Sequence, residues 1–158
     1  MSFYSTLRQQ TLPKAQQLLT IPQLIDGLSG RISKATYVAY LTEAYHHVKH
    51  TASLMAAAKA KLDADHGAFK SALDEYISEE TGHEQWILDD IRACGSDADA
   101  ARDSDPRLAT EVMVAFAYDY INRINPMGFF GMVYVLESTS VLLASKGASA
   151  VQQSLGLP

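Results

Sequence analysis

The stretch SKATYVAYLTEAYHHVKHTASLMAAAKAKLD, residues 33–63, decides the fold class. Ser33 is a good N-cap residue, and apolar side chains then recur at helical spacing as far as an alanine-rich end. Alanine has the highest intrinsic helix propensity. The stretch therefore predicts one long amphipathic helix from Lys34 to about Asp63.

A second long helix is predicted from about Ala68 to Ala93, where the apolar spacing is again helical. Cys94-Gly95 follows it as a typical C-cap. Gly82 lies inside this helix, where glycine costs about 1 kcal/mol relative to alanine. We expect that a neighbouring helix or a ligand comes close at Gly82.

The rest of the chain predicts further helices and no strands, because it has almost no alternating pattern of β-branched residues. The expected elements are a helix over 3–19 that Pro13 kinks or interrupts, a polar acidic loop over 96–105, a helix from Asp105-Pro106 to about Ile124, and a last helix from Met127 to Lys146 closed by Gly147. These elements predict an all-α protein with one domain over residues 1–158.

Composition and charge narrow the function classes. The net charge of −5 argues against a nucleic-acid partner, which would favour a basic surface. The single cysteine, Cys94, cannot form an internal disulfide and fits a reducing compartment. The N-terminus lacks a signal-peptide pattern, and the longest apolar run is roughly half of a membrane span. We therefore expect a cytoplasmic protein with no membrane partner.

The motif Glu80-x-x-His83 is the leading candidate for chemistry. Residues three apart on a helix project from one face, and a carboxylate beside an imidazole suits iron or manganese. A simpler interpretation is a solvated helix face, because Glu79 and Glu84 crowd the same segment.

Glu137 raises the chance of a metal site because it interrupts an apolar helix that we expect to be buried nearly all round. A buried carboxylate costs several kcal/mol unless it is paired or bound to a cation. An ion pair with a core arginine or lysine is the alternative.

A weaker candidate pair, Glu43 and His46, repeats the same spacing. Together with Glu80, His83 and Glu137 it would approach a site for two metal ions. The interpretation that we favour for the upstream histidines is that one lines a pocket while the others lie at the surface. The side chains predicted to line the pocket are Tyr45, His50 and Tyr134.

Three stretches resemble the haem-oxygenase-like helical superfamily, which includes TenA/THI-4 proteins and an iron-containing redox enzyme branch. Residues 21–45 are similar to its opening segment. Residues 79–95, with Glu-Glu-Thr-Gly-His-Glu and then Cys-Gly, resemble the iron-containing branch. Residues 131–137, Gly-Met-Val-Tyr-Val-Leu-Glu, resemble the next helix of that branch.

The resemblance implies a haem-oxygenase-like helical bundle in which Glu80, His83 and Glu137 hold iron, with one or two ions per site. It implies an oxidase or oxygenase that acts on a small-molecule substrate, and it leaves the catalytic residues undefined. Members of the branch continue with a further core helix carrying more ligands, so this chain is expected to be shortened at its C-terminal end. We also expect a homodimer.

Two alternatives stay open from the sequence. One is a metal-free hydrolase or pyrimidine-binding protein of the TenA type, although Cys94 does not match the position of the catalytic cysteine in that branch. The other is a helical dimerisation module without chemistry, since an absent core helix would expose an apolar groove.

Overall fold

In the computed structural model, which describes residues 2–157 with the backbone alone at Leu142, every regular element is helical. The α-helices are α1 (Phe3–Leu18), α2 (Pro22–Leu28), α3 (Lys34–Val48), α4 (Thr51–Lys61), α5 (Gly67–Glu80), α6 (His83–Ala93), α7 (Ala98–Asp103), α8 (Leu108–Asp119) and α9 (Gly128–Leu155). A 3-10 turn, Ala64–His66, precedes α5, and a π-helical segment, Tyr120–Ile124, directly follows α8. The all-α prediction is confirmed.

The chain divides into two compact units. One contains Ala35–Gly131, and the other combines Met1–Lys34 with Met132–Pro158. In the first unit, α4 packs against α5, α8 and the π-helical segment. The apolar residues of this unit that are most fully buried are Met55, Ala58, Leu73, Ile91 and Ile121. The single-domain organisation stays a prediction.

The single helix predicted from Lys34 to Asp63 is wrong, because the chain turns at Lys49 and His50 between α3 and α4. The N–H of His50 bonds to the carbonyl of His47 only three residues earlier, at 3.1 Å. The carbonyl of His50 then accepts the N–H of Leu54 at 2.8 Å and begins the next helix. The turn lies beside three histidines, whose helix propensity is lower than that of the alanines that follow in α4.

The acidic loop predicted over 96–105 contains the short helix α7. Asp97 caps this helix, since its Oδ1 accepts the N–H groups of Asp99 and Ala100, both at 2.9 Å. The aspartate cap and the burial of Ala98 and Ala101 favour a helix in a segment that composition alone marks as a loop. Helix α8 begins at Leu108, two residues after the proline at which we predicted its start.

Proline and glycine have different effects here from those predicted. Helix α1 continues through Pro13, so the predicted interruption does not occur, whereas a kink at this residue stays a prediction. Helix α9 continues past Gly147, where an added Cβ would lie in ordinary contact with Leu28, 3.6 Å away. Gly156, with φ of +63°, ends α9 instead, and the N–H of Leu157 bonds to the carbonyl of Gln152 at 3.1 Å.

Within residues 2–157, no single helix is long and apolar enough to cross a membrane. Two parts of α9, Gly128–Val141 and Leu143–Leu155, are long and apolar enough only when they are taken together, and they are bent by 49° relative to each other. A cytoplasmic location stays a prediction.

Candidate metal centre

Glu80 and His83 are brought together across a helix break. The predicted helix over 68–93 is wrong at this point, because α5 ends at Glu80 and α6 begins at His83. Gly82 has φ of +96°, a left-handed conformation that glycine adopts readily and other residues rarely do. The C-cap predicted at the far end of α6 is confirmed, since Gly95 has φ of +74° and donates to the carbonyl of Arg92 at 2.8 Å.

The two candidate ligands contact each other directly. Nδ1 of His83 lies 3.1 Å from Oε2 of Glu80, and the side chains are 28% and 18% exposed. Two neighbouring ligands of one octahedral ion, with bonds of about 2.1 Å, would lie about 3 Å apart. The donor types and their separation therefore fit two ligands of one ion.

The pair supplies two donors. Among the side chains of residues 2–157 that the structure describes, no three His, Cys, Asp or Glu groups form a cluster that could hold a metal ion. Nε2 of His83 has no hydrogen-bond partner among these residues. The pair is therefore a potential part of a metal centre, with a nitrogen and carboxylate oxygens available.

Glu43 has a structural role at the start of α8. Its carboxylate accepts the backbone N–H of Arg107, at 3.2 and 3.3 Å to the two oxygens, and also the hydroxyl of Thr110. These are groups of the first turn of α8, where a negative charge is favoured by the helix dipole. Glu43 thus ties α3 to α8.

His46 is buried, with 1% of its surface exposed, and both ring nitrogens have partners. The Lys49 ammonium, which can only donate, lies 3.0 Å from Nδ1. The hydroxyl of Ser104 donates to Ala101 and lies 2.9 Å from Nε2, so it accepts the Nε2 proton. His46 is therefore neutral. The assignment of Glu43 and His46 as metal ligands stays a prediction.

Three histidines around the turn between α3 and α4 favour their neutral forms. Burial lowers the pKa of His46, and Lys49 lowers it further while Glu43 opposes the shift. Burial also lowers the pKa of His47 and that of His50. Near the ordinary histidine pKa of about 6.5, the unfolded chain therefore binds more protons than the folded protein does.

Acid is expected to destabilise the protein through these groups. Stability is fully present above about pH 6.5 and is lost as the pH falls through the unfolded pKa towards the lowered folded ones. Urea unfolding between pH 8 and pH 5 measures the slope, which we expect to be shallower in His46→Asn because one of the three groups no longer titrates. An identical slope in His46→Asn would contradict this account of His46.

The predicted pocket residues have aromatic partners. The Tyr45 ring lies edge-on to His46 at 5.5 Å, and the ring of His50 lies edge-on to Tyr118 at 5.9 Å. In the other unit, Tyr134 meets Tyr4 edge-on at 6.2 Å. A shallow depression there, of about 320 Å³, lies along α1 and is lined by Tyr4, Ser5, Arg8, Gln9 and Leu12. The pocket assignment stays a prediction.

A family model described as iron-containing redox enzyme matches residues 38–158. This chain belongs to the iron-containing redox enzyme family. The matched range contains the Glu80–His83 pair and all of the other candidate site residues. Membership supports a redox function in general terms.

One solved structure is similar to this chain over its whole length. It is the crystal structure of a domain of unknown function with a heme oxygenase-like fold from Shewanella denitrificans OS217. The similarity has a TM-score of 0.88 at 30% identity and covers 100% of this chain and 68% of that chain. The predicted haem-oxygenase-like fold is confirmed. No curated protein sequence matches the chain significantly.

Glu137 lies on α9, in the other unit, and it is more exposed than the sequence predicted. We expected it in a helix that is buried nearly all round, but Glu137 is exposed, and so are its neighbours Val135 and Leu136. The apolar sequence of α9 thus lies partly at the surface, and the cost of a buried carboxylate does not apply. Its assignment as a metal ligand stays a prediction that rests on the resemblance.

Sequence reasoning missed Trp86, which stacks on His83 with ring centroids 4.0 Å apart and planes 29° from parallel. The sequence did indicate this contact, because Trp86, the one tryptophan of the chain, follows His83 by three residues and therefore neighbours it on a helix. Ser104 was also missed, since nothing local connects it to His46.

Proposed function

We propose that this protein is an iron-dependent oxidoreductase acting on a small molecule, with Glu80 and His83 as iron ligands. The observation that carries the proposal is the 3.1 Å contact between Nδ1 of His83 and Oε2 of Glu80 within a family of iron-containing redox enzymes. Glu137 is proposed as a further ligand from the sequence resemblance alone.

The charge of Glu80 and the nitrogen of His83 both suit the binding of a cation. Glu80 supplies a negative charge that is 18% exposed, so water screens it less than it would a fully exposed carboxylate. The imidazole of His83 must lose its Nδ1 proton if iron is to bind at that nitrogen. Iron, when bound, supplies the capacity for one-electron transfer and dioxygen chemistry.

Metal binding tests the proposal directly. Anaerobic titration with ferrous iron, followed by elemental analysis, is expected to give about one bound equivalent for the wild-type protein. Glu80→Gln and His83→Ala are each expected to weaken binding at least tenfold, because each removes one of few donors. Glu79→Gln removes the same charge from the adjacent exposed residue and should bind as the wild type does.

The proposal fails if the wild-type protein binds less than a tenth of an equivalent, or if Glu80→Gln and Glu79→Gln bind equally well. A weakening by Glu137→Gln, again compared with Glu79→Gln, would support the third ligand. Far-ultraviolet circular dichroism of each variant separates loss of the site from loss of the fold.

A homodimer is proposed on the basis of the surface of α8. Leu108, Val112 and Phe116 recur every four residues on this helix and are 76%, 55% and 63% exposed. An apolar row of this kind is commonly covered by a partner. Light scattering decides between monomer and dimer, and a monomer at all concentrations would reject the homodimer.

A further inference from the structure

The indole of Trp86 and the imidazole of His83 form the tightest ring stack among the aromatic pairs of residues 2–157. Their centroid separation of 4.0 Å is the distance of rings in face contact. His83 is 28% exposed by side chain, whereas Trp86 is 63% exposed and contributes little to the core. A large aromatic residue at the surface therefore covers one face of a candidate ligand.

Two contacts together fix the orientation of the His83 ring. The hydrogen bond to Glu80 directs Nδ1, and the stack with Trp86 sets the plane of the ring. A histidine side chain has two rotatable bonds, so two such contacts leave little freedom. Without the stack, both torsions of the His83 side chain would depend on one hydrogen bond to the flexible side chain of Glu80.

Trp86 is better placed than His83 to hold a fixed position. His83 is the first residue of α6 and follows Gly82, at the break in the chain. Trp86 lies one turn further into the same helix, which is anchored by the buried side chains of Leu88 and Ile91. The stack therefore holds the imidazole of His83, at the first residue of α6, against a part of the helix whose position is fixed by packing.

We infer that Trp86 is a positioning residue that holds the imidazole of His83 in the orientation facing Glu80. The consequence for iron affinity rests on the proposed function, but the orientation itself does not. Removing the stack is expected to release the His83 rotamer and to weaken iron binding, as the loss of a residue that orients a metal ligand commonly does.

Nuclear magnetic resonance of the metal-free protein tests the orientation. Three-bond couplings report the first side-chain torsion of His83, with the signal assigned from His83→Gln. We expect one rotamer in the wild-type protein and in Trp86→Phe, which keeps an aromatic face, and an average of rotamers in Trp86→Leu. A single unchanged rotamer in Trp86→Leu would overturn the inference.

Competition with a coloured chelator for ferrous iron tests the consequence without using tryptophan fluorescence. We expect Trp86→Leu to bind iron about tenfold or more weakly and Trp86→Phe to stay within about threefold of the wild type. Tyr40→Leu removes an exposed aromatic residue, 56% exposed, that stacks on Tyr37 rather than on a candidate ligand, so it is the matched control and should bind normally.

The two experiments separate failure of the inference from failure of the proposed function. If the wild-type protein binds no iron while Trp86→Leu releases the rotamer, the proposed function is wrong and the positioning role stands. If the wild-type protein binds iron and Trp86→Leu binds it equally well, the positioning role is overturned and the proposed function stands.

Discussion

Ile91→Ala is expected to lower the free energy of unfolding by about 2–5 kcal/mol. Ile91 lies on α6, and none of its surface is exposed. The change removes buried apolar groups and leaves a cavity that the surrounding side chains can fill only in part. Urea unfolding monitored by circular dichroism measures the loss.

Two controls define what this loss means. Ile91→Val removes one methylene at the same place and is expected to cost about 0.5–1.5 kcal/mol. Ile124→Ala makes the same chemical change at a residue that is 52% exposed, and we expect it to cost well under half as much as Ile91→Ala. Equal losses for Ile91→Ala and Ile124→Ala would contradict the burial of α6.

The sequence predicted the helices better than it predicted their breaks. Local periodicity could not reveal the break between α5 and α6, because Leu73 and Leu88 are buried on opposite sides of it and their spacing also suits one continuous helix. Gly82 was the only local sign. A glycine inside a helical pattern is compatible with either a tolerated helical residue or a left-handed cap.

In the candidate site, the sequence predicted a contact between residues that are near in the chain but not the contacts between residues that are far apart in it. Contact between Glu80 and His83 was predictable from a spacing of three residues, although it arises across a break rather than within a helix. Glu43 and His46 share that spacing, yet the partners of Glu43 and of Nε2 of His46 lie 58 to 67 residues further along the chain. Only tertiary structure brings Ser104 and the start of α8 to these side chains.

Gly82→Ala distinguishes the break from the continuous helix by the sign of its effect. With φ of +96°, an alanine side chain is strained even though nothing lies within 4 Å of it, so we expect a loss of about 1–3 kcal/mol. In an unbroken helix the same change would raise the free energy of unfolding by about 1 kcal/mol. Urea unfolding of the metal-free protein measures which sign holds.

Gly131→Ala is the matched control for Gly82→Ala, because Gly131 lies inside α9 with helical backbone and open space beside it. We expect it to leave stability unchanged or to raise it by up to about 1 kcal/mol. Gly82→Asn should recover part of the loss, since asparagine tolerates the left-handed region. Because the conformation of Gly82 sets the approach of His83 to Glu80, Gly82→Ala should also weaken iron binding, and a stabilised variant with normal iron affinity would contradict both the break and its role at the site.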